Sequence, residues 1–158
     1  MIHSQRATRT AGAALPLSTL VAIGLLILFT APAVQAEQKQ MLGPYEAHYV
    51  VVQSTFFSEE VAGKYGIVRG RDRALMNLSF LDESLTPVAV SLNGISKNLL
   101  SQEVDLEFRE VREGDAIYYL AEVRHTDRET LRFRIQVTTP DGEVRELAFQ
   151  QQMFWDGR

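Results

Sequence analysis

Arg69, Arg71 and Arg73 stand at alternate positions around Gly70 and Asp72. Alternate side chains of an extended backbone share one side. Three guanidinium groups placed this way could hold an anionic ligand or a partner's carboxylate. The blander reading is a charged loop or sheet edge, which also discourages edge-to-edge aggregation. A second grouping is apolar. Phe56, Phe57 and Tyr65 flank a short helical signal, and Phe154 and Trp155 lie near the C-terminus. Aromatics in such segments either form a recognition patch or close the open end of a core. A third grouping is acidic: Glu103, Asp105 and Glu107 recur at every second residue, about 7 Å apart along a strand. Paired carboxylates can hydrolyse glycosides. Here they alternate with Val104, Leu106 and Phe108, which marks the solvent face of a half-buried strand. Arg132 and Arg134 are the expected cross-strand partners, each pair worth well under ~1 kcal/mol.

Other chemistries find few residues. The chain has no cysteine, so disulfides, thiol catalysis and cysteine-held metals are excluded. Beyond the first 36 residues only His48 and His125 remain, in different segments. Structural zinc usually takes four nitrogen or sulfur ligands, and the acidic loop spacing of an oxygen-only calcium site is missing. No metal or other cofactor is expected. No G-x-S-x-G elbow occurs, and neither histidine adjoins an obvious nucleophile. "NLS" at Asn77 to Ser79 matches a glycosylation acceptor but falls inside a strand pattern.

The elements that would position these groups follow from the period of the apolar residues. Tyr45, Ala47, Tyr49 and Val51 alternate with Glu46, His48, Val50 and Val52, which reads as a strand. Ser58 can cap a short helix, with Glu59 and Glu60 in its first turn and Gly66 just past its end. Residues 67–73 form a connection or a short edge strand, and 74–81 a second strand. Val88, Val90 and Leu92 predict a third strand ending near Gly94. Residues 103–109 predict a fourth. A turn at 113–115 leads to "AIYYLAEV", apolar on both faces and therefore central. Leu131, Phe133, Ile135 and Val137 mark a sixth strand. "PDG" at Pro140 to Gly142 makes a hairpin turn, and Val144, Leu147 and Phe149 carry the seventh strand. Residues 37–43 read as a loose polar leader. Seven strands at roughly ten-residue spacing predict an all-β, antiparallel, immunoglobulin-like β-sandwich with one short helical insert. A small β-barrel is the alternative, with Tyr49, Tyr119 and Phe133 lining its cavity.

Residues 1–36 read as a secretory signal peptide. Arg6 and Arg9 precede an apolar run from Leu15 to Phe29, and Val34 and Ala36 supply a small-residue cleavage site. The run is shorter than the roughly 20 residues that span a bilayer. Removing this segment takes away two positive charges and moves the net charge from −4 to −6. An acidic surface disfavours nucleic acid. Residues 37–158 then form one domain of modest size, without cysteine staples, as suits a bacterial periplasm.

Four stretches identify a relative: "STFFSEEVAGKYGIVRGRDRALMNLS", "DLEFREVREGDAIYYLAEV", "ETLRFRIQV" and "FQQQMF". Together they resemble a family of uncharacterised proteobacterial proteins of about this length, with signal peptides, classed as a domain of unknown function. The resemblance implies a periplasmic β-rich domain and supplies no substrate, cofactor or active-site residue. A smaller likeness lies in "DAIYYLA" at Asp115 to Ala121, which resembles the immunoglobulin strand carrying the corner tyrosine, with Leu120 in place of cysteine. The expected function is a non-catalytic binding or protein-interaction module in the periplasm. Its binding residues would be drawn from Arg69, Arg71, Arg73, Phe56, Phe57 and Tyr65. The partner would be an envelope protein or small molecule, not nucleic acid. A membrane would be met only through the N-terminal segment, if that segment is retained. The rivals are a small-ligand-binding β-barrel and a hydrolase with an unfamiliar site.

Overall fold

A computed structural model describes residues 38–155, so the signal-peptide reading of 1–36 lies outside the described residues. The strands are β1 (Gln38–Leu42), β2 (Tyr45–Gln53), β3 (Arg73–Leu81), β4 (Ser91–Lys97), β5 (Glu103–Leu106), β6 (Arg109–Glu113), β7 (Ala116–Arg124), β8 (Thr130–Thr138) and β9 (Val144–Gln152). A 3-10 turn at Ser54–Phe56 and one α-helix, α1 (Glu59–Tyr65), lie between β2 and β3. The strands form two sheets, one ordered β1-β2-β3-β7-β6 and the other β5-β4-β8-β9. All their pairings are antiparallel. This is the expected all-β sandwich.

Period two builds the shared interior. On β8, Leu131, Phe133, Ile135 and Val137 are buried while Arg132, Arg134 and Gln136 face solvent. Register sets Phe133 opposite Phe149, with ring centroids 4.9 Å apart. Phe149 stacks in turn on Tyr49 of the other sheet at 4.3 Å. Phe80 meets Tyr119 edge-on at 5.9 Å. Tyr49, Tyr119 and Phe133 therefore fill the interior, and both sheets keep open edges. The barrel alternative falls on both counts.

Local signals placed several elements correctly. Ser58 Oγ accepts the Val61 N–H at 3.2 Å at the start of α1. Gly66 ends the helix in the left-handed region at φ 61°, where glycine carries no Cβ penalty. At the β8–β9 turn Gly142 has φ 85°, and its N–H donates to the Thr139 carbonyl at 2.8 Å.

Among the described residues the strands number nine rather than seven, for two reasons, and one expected strand is shifted. Residues 38–42 are an edge strand, not a loose leader: backbone pairing to β2 needs no apolar alternation, and only Leu42 is buried. The third strand begins at Ser91, later than expected. Val88 and Val90 lie in the crossing between sheets, where the Val88 N–H donates to the Phe80 carbonyl at 2.9 Å. The Val90 N–H donates to the Tyr119 hydroxyl, also at 2.9 Å. The expected strand 103–109 is two strands, because the chain changes sheet at Glu107 and Phe108. Leu106 is buried, but Val104 is 60 % exposed. The expected ion pairs from Glu103 and Asp105 to Arg132 and Arg134 do not form, since β4 lies between β5 and β8. Glu103 instead pairs with Lys97 at 3.0 Å, and Arg134 with Glu146 at 3.5 Å. The corner-tyrosine likeness also fails. Tyr119 and Ala121 face the core, so Tyr118 and Leu120 point to the opposite face, where Leu120 lies under Ile67 and Val68.

Phe133 bridges β9 and the aromatic stack to the other sheet. Truncating it leaves a cavity that the rigid sheets cannot close. Phe133→Ala is expected to cost about 3–5 kcal/mol in urea unfolding; a loss under about 1 kcal/mol would contradict the packing described.

Candidate binding site

One end of the sandwich gathers four segments. β2 and β9 end there, β8 begins there, and the segments are 54–72, 98–102, 125–129 and 153–155. Hydrogen bonds pin them to one another. Ser54 Oγ accepts the Gly70 N–H at 2.9 Å and donates to the Gly70 carbonyl at 3.0 Å, closing the long segment into a loop. The His125 N–H donates to the Asp72 carbonyl at 3.0 Å, and its buried ring lies 3.2 Å from Gln53 Oε1. The Gln53 amide donates to the Phe154 carbonyl. Met153 and Trp155 donate their N–H groups to the Glu129 carbonyl at 2.7 Å and Asp127 Oδ1 at 3.0 Å. Burial pushes the Glu129 carboxyl up, but the Thr126 N–H, the Asn98 amide and the Thr126 hydroxyl outweigh it and hold it below its ordinary value.

This scaffold presents apolar tips. Asn98 Oδ1 accepts the N–H groups of Leu100 and Gln102, each at 3.0 Å. That Asx-type turn projects Leu99 and Leu100 outward, Leu100 with 82 % of its surface exposed. Phe56 is 60 % and Phe154 52 % exposed. The Arg71 guanidinium lies 4.4 Å from the centroid of the Trp155 ring, a cation–π contact that fixes both. Ten large apolar side chains are exposed among the described residues, and six lie on these segments: Val68 beside Leu75 and Leu120 of the five-stranded sheet, and Phe56, Leu99, Leu100, Phe154 and Trp155. Surface apolar residues scattered singly need no explanation, but a cluster does.

The three arginines do not converge. Arg69 pairs with Glu59 at 3.5 Å and Arg73 with Glu122 of β7, while Arg71 takes Trp155. Phe57 meets Phe56 edge-on at 6.1 Å. Tyr65 stands elsewhere, on the outer face of the five-stranded sheet. Its hydroxyl donates to Glu113 of β6, and Lys64 reaches the same carboxylate at 3.1 Å. Arg109 donates to the Tyr65 carbonyl, placing a cation at the C-terminus of α1. The end therefore unites Phe56, Phe57, Arg69 and Arg71 with Phe154 and Trp155, and leaves out Arg73 and Tyr65. Leu99 and Leu100 escape a reading by period. Two adjacent leucines between Asn98 and Ser101 fit neither a strand nor a helix, and that misfit is their signal. Two depressions open on the outer sheet faces: about 160 Å³ between Gly66–Val68 and Leu75 and Leu120, and about 450 Å³ across Ile95, Arg132, Arg134 and Ala148.

Two open antiparallel sheets with a filled interior, pinned end loops and exposed aromatic tips define an all-β sandwich domain. The chain belongs to the family described as "Domain of unknown function (DUF4426)", which matches residues 39–156. A crystal structure of a family member from Pseudomonas aeruginosa is 34 % identical, covers 79 % of this chain and all of that one, and superposes with a TM-score of 0.69. The resemblance read from the four stretches is thereby confirmed. FetP of uropathogenic Escherichia coli shares the fold at 10 % identity and a TM-score of 0.54, in a copper-bound variant covering 77 % of this chain and 97 % of that one. A second FetP structure, of protein recombinantly expressed in the periplasm, covers 77 % and 96 % at the same identity and score. Among curated proteins none matches. No helix among the described residues is long and apolar enough to cross a membrane.

The Tyr65 hydroxyl, and after it Lys64, hold the Glu113 carboxyl below its ordinary value against the opposing effect of burial. A depressed carboxylate contributes stability that is present above its unfolded value, 4.5, and lost as pH falls through the lower folded value. Tyr65→Phe is therefore expected to lower the thermal midpoint at pH 6 more than at pH 3. An equal loss at both would show that the hydroxyl does not act through Glu113.

Proposed function

We propose that this protein is an exported, non-catalytic binding module of the periplasm that engages its partner through the loop end of the sandwich. The exposure of Phe56, Leu99, Leu100, Phe154 and Trp155 on the segments of one end carries the reading. Exposing five large apolar groups together opposes solubility unless something covers them, and aromatic and arginine side chains are those that anchor interfaces. The pinning of Trp155 by Asp127 and Arg71 lowers the ordering cost of contact. Export is supported by the basic start, apolar run and small-residue exit of residues 1–36. The absence of catalysis is supported by the scarcity of reactive groups. His125 is tied into the loop scaffold, Glu103 into an ion pair with Lys97 and Glu113 into the anchoring of α1.

The cysteine-free chain allows a direct test. Single substitutions Leu100→Cys and Phe154→Cys at the loop end, and Leu85→Cys and Val144→Cys at the opposite end, are labelled with a membrane-impermeant maleimide in cells permeabilised only at the outer membrane. The loop-end thiols are expected to react at least several-fold more slowly in cells than in purified protein, while the opposite-end thiols react alike in both. Equal labelling of all four in cells would refute a covered loop end.

A further inference from the structure

We infer that the loop end docks on the surface of a phospholipid bilayer, with Leu99, Leu100, Phe154, Trp155 and Phe56 entering the headgroup–acyl boundary. The inference rests on the loop end being the binding face, and it names what covers that face. It departs from the expectation that only the N-terminal segment meets a membrane.

Shape comes first. The apolar groups sit on the tips of separate segments, at 56, 99–100 and 154–155. A set of protruding tips suits a deformable surface better than a small molecule, which is held in a concavity. Side-chain type comes second. Tryptophan, phenylalanine and leucine are favoured at the membrane interface, with arginine beside them at headgroup depth. Arg71 stacks on Trp155 at 4.4 Å, and Arg128, with its side chain 80 % exposed, stands on the neighbouring turn. Both guanidinium groups lie where lipid phosphates would be, which gives the patch its charge complementarity.

The net charge disfavours long-range attraction to anionic lipid. Docking must then come from burial of apolar tips and depend only weakly on salt. The Asp127 and Glu129 carboxylates accept the N–H groups of Trp155 and Thr126, and Arg128 lies 3.9 Å from Asp127, which offsets part of their charge.

Trp155 is the only tryptophan of the chain, so its emission reports the docked end alone, whatever the N-terminal segment does. Protein purified from the cell envelope is titrated with vesicles of phosphatidylethanolamine and phosphatidylglycerol, with and without acyl-brominated lipid. The expected result is a blue shift of Trp155, quenching by the brominated lipid, and little change with added salt. Leu99→Asp/Leu100→Asp is expected to weaken the response on the order of tenfold or more, with an unchanged thermal midpoint because both side chains are exposed. Leu85→Asp, at the opposite end, is expected to respond as the unsubstituted protein does. Silent Trp155 emission, or an undiminished response in the double variant, overturns the inference. Silent emission with loop-end thiols still protected in cells would leave the binding face standing and assign it to a protein. Silent emission with unprotected thiols would remove both.

Discussion

Two sheets become one body only where water leaves the space between them. In this chain that space is closed by a run of rings: Tyr49 of the five-stranded sheet lies on Phe149 of the other, and Phe149 on Phe133 beside it. Phe80 and Tyr119 repeat the theme within the first sheet. Without cysteine no covalent link shares the load, so burial of apolar surface is what opposes the chain entropy of folding. Polar atoms are admitted to the margin only with partners. The Tyr119 hydroxyl accepts the Val90 N–H and donates to Glu110 Oε2 at 3.1 Å, joining the crossing segment to the edge of the first sheet.

The two ends of the sandwich are finished differently, and function follows from the difference. At the hairpin end, Arg145 makes two hydrogen bonds to Asp141, at 2.8 and 2.9 Å, and donates to Thr139. The Arg145 hydrogen bonds, seconded by Thr139, hold the Asp141 carboxyl far below the usual carboxylate range. The same guanidinium lies over the Tyr45 ring and fills the space a Cβ at Gly43 would need. That end is a charge-assisted polar seal. At the loop end the polar atoms are spent inwardly, Ser54 on Gly70, Glu129 on Thr126 and Asn98 on its own turn. What faces outward includes five large apolar side chains. A rigid, inward-satisfied scaffold with greasy tips is suited to contact rather than to reaction.

Much of this was legible in the chain because the rules involved are local. Alternation on β2 and β8 survives in the structure, β7 lies between β3 and β6 as its two apolar faces imply, and Ser58 and Gly66 bound α1 where capping chemistry puts them. Period two reports that a strand has two faces, not which sheet it belongs to. Residues 103–109 keep their alternation while passing from one sheet to the other, so neither the break at Glu107 nor the loss of the Arg132 and Arg134 ion pairs could be read from them. Edge strand β1 was hidden for the opposite reason, since backbone pairing left almost no apolar trace. Among the candidate site residues, Phe56, Phe57, Arg69 and Arg71 meet because the Ser54–Gly70 bonds fold the segment back on itself. Sequence shows the three alternating arginines but not that each finds a different partner.

The two sheets share one interior and unfold as one. Native-state hydrogen exchange tests this most directly. Slowly exchanging amides of β3 and β7 in one sheet and of β4 and β8 in the other should converge on a single opening free energy as denaturant rises, while amides of 98–102 and 54–72 open at lower values. Two distinct plateaus, one for each sheet, would contradict it, because sheets that open separately cannot owe their stability to the rings between them.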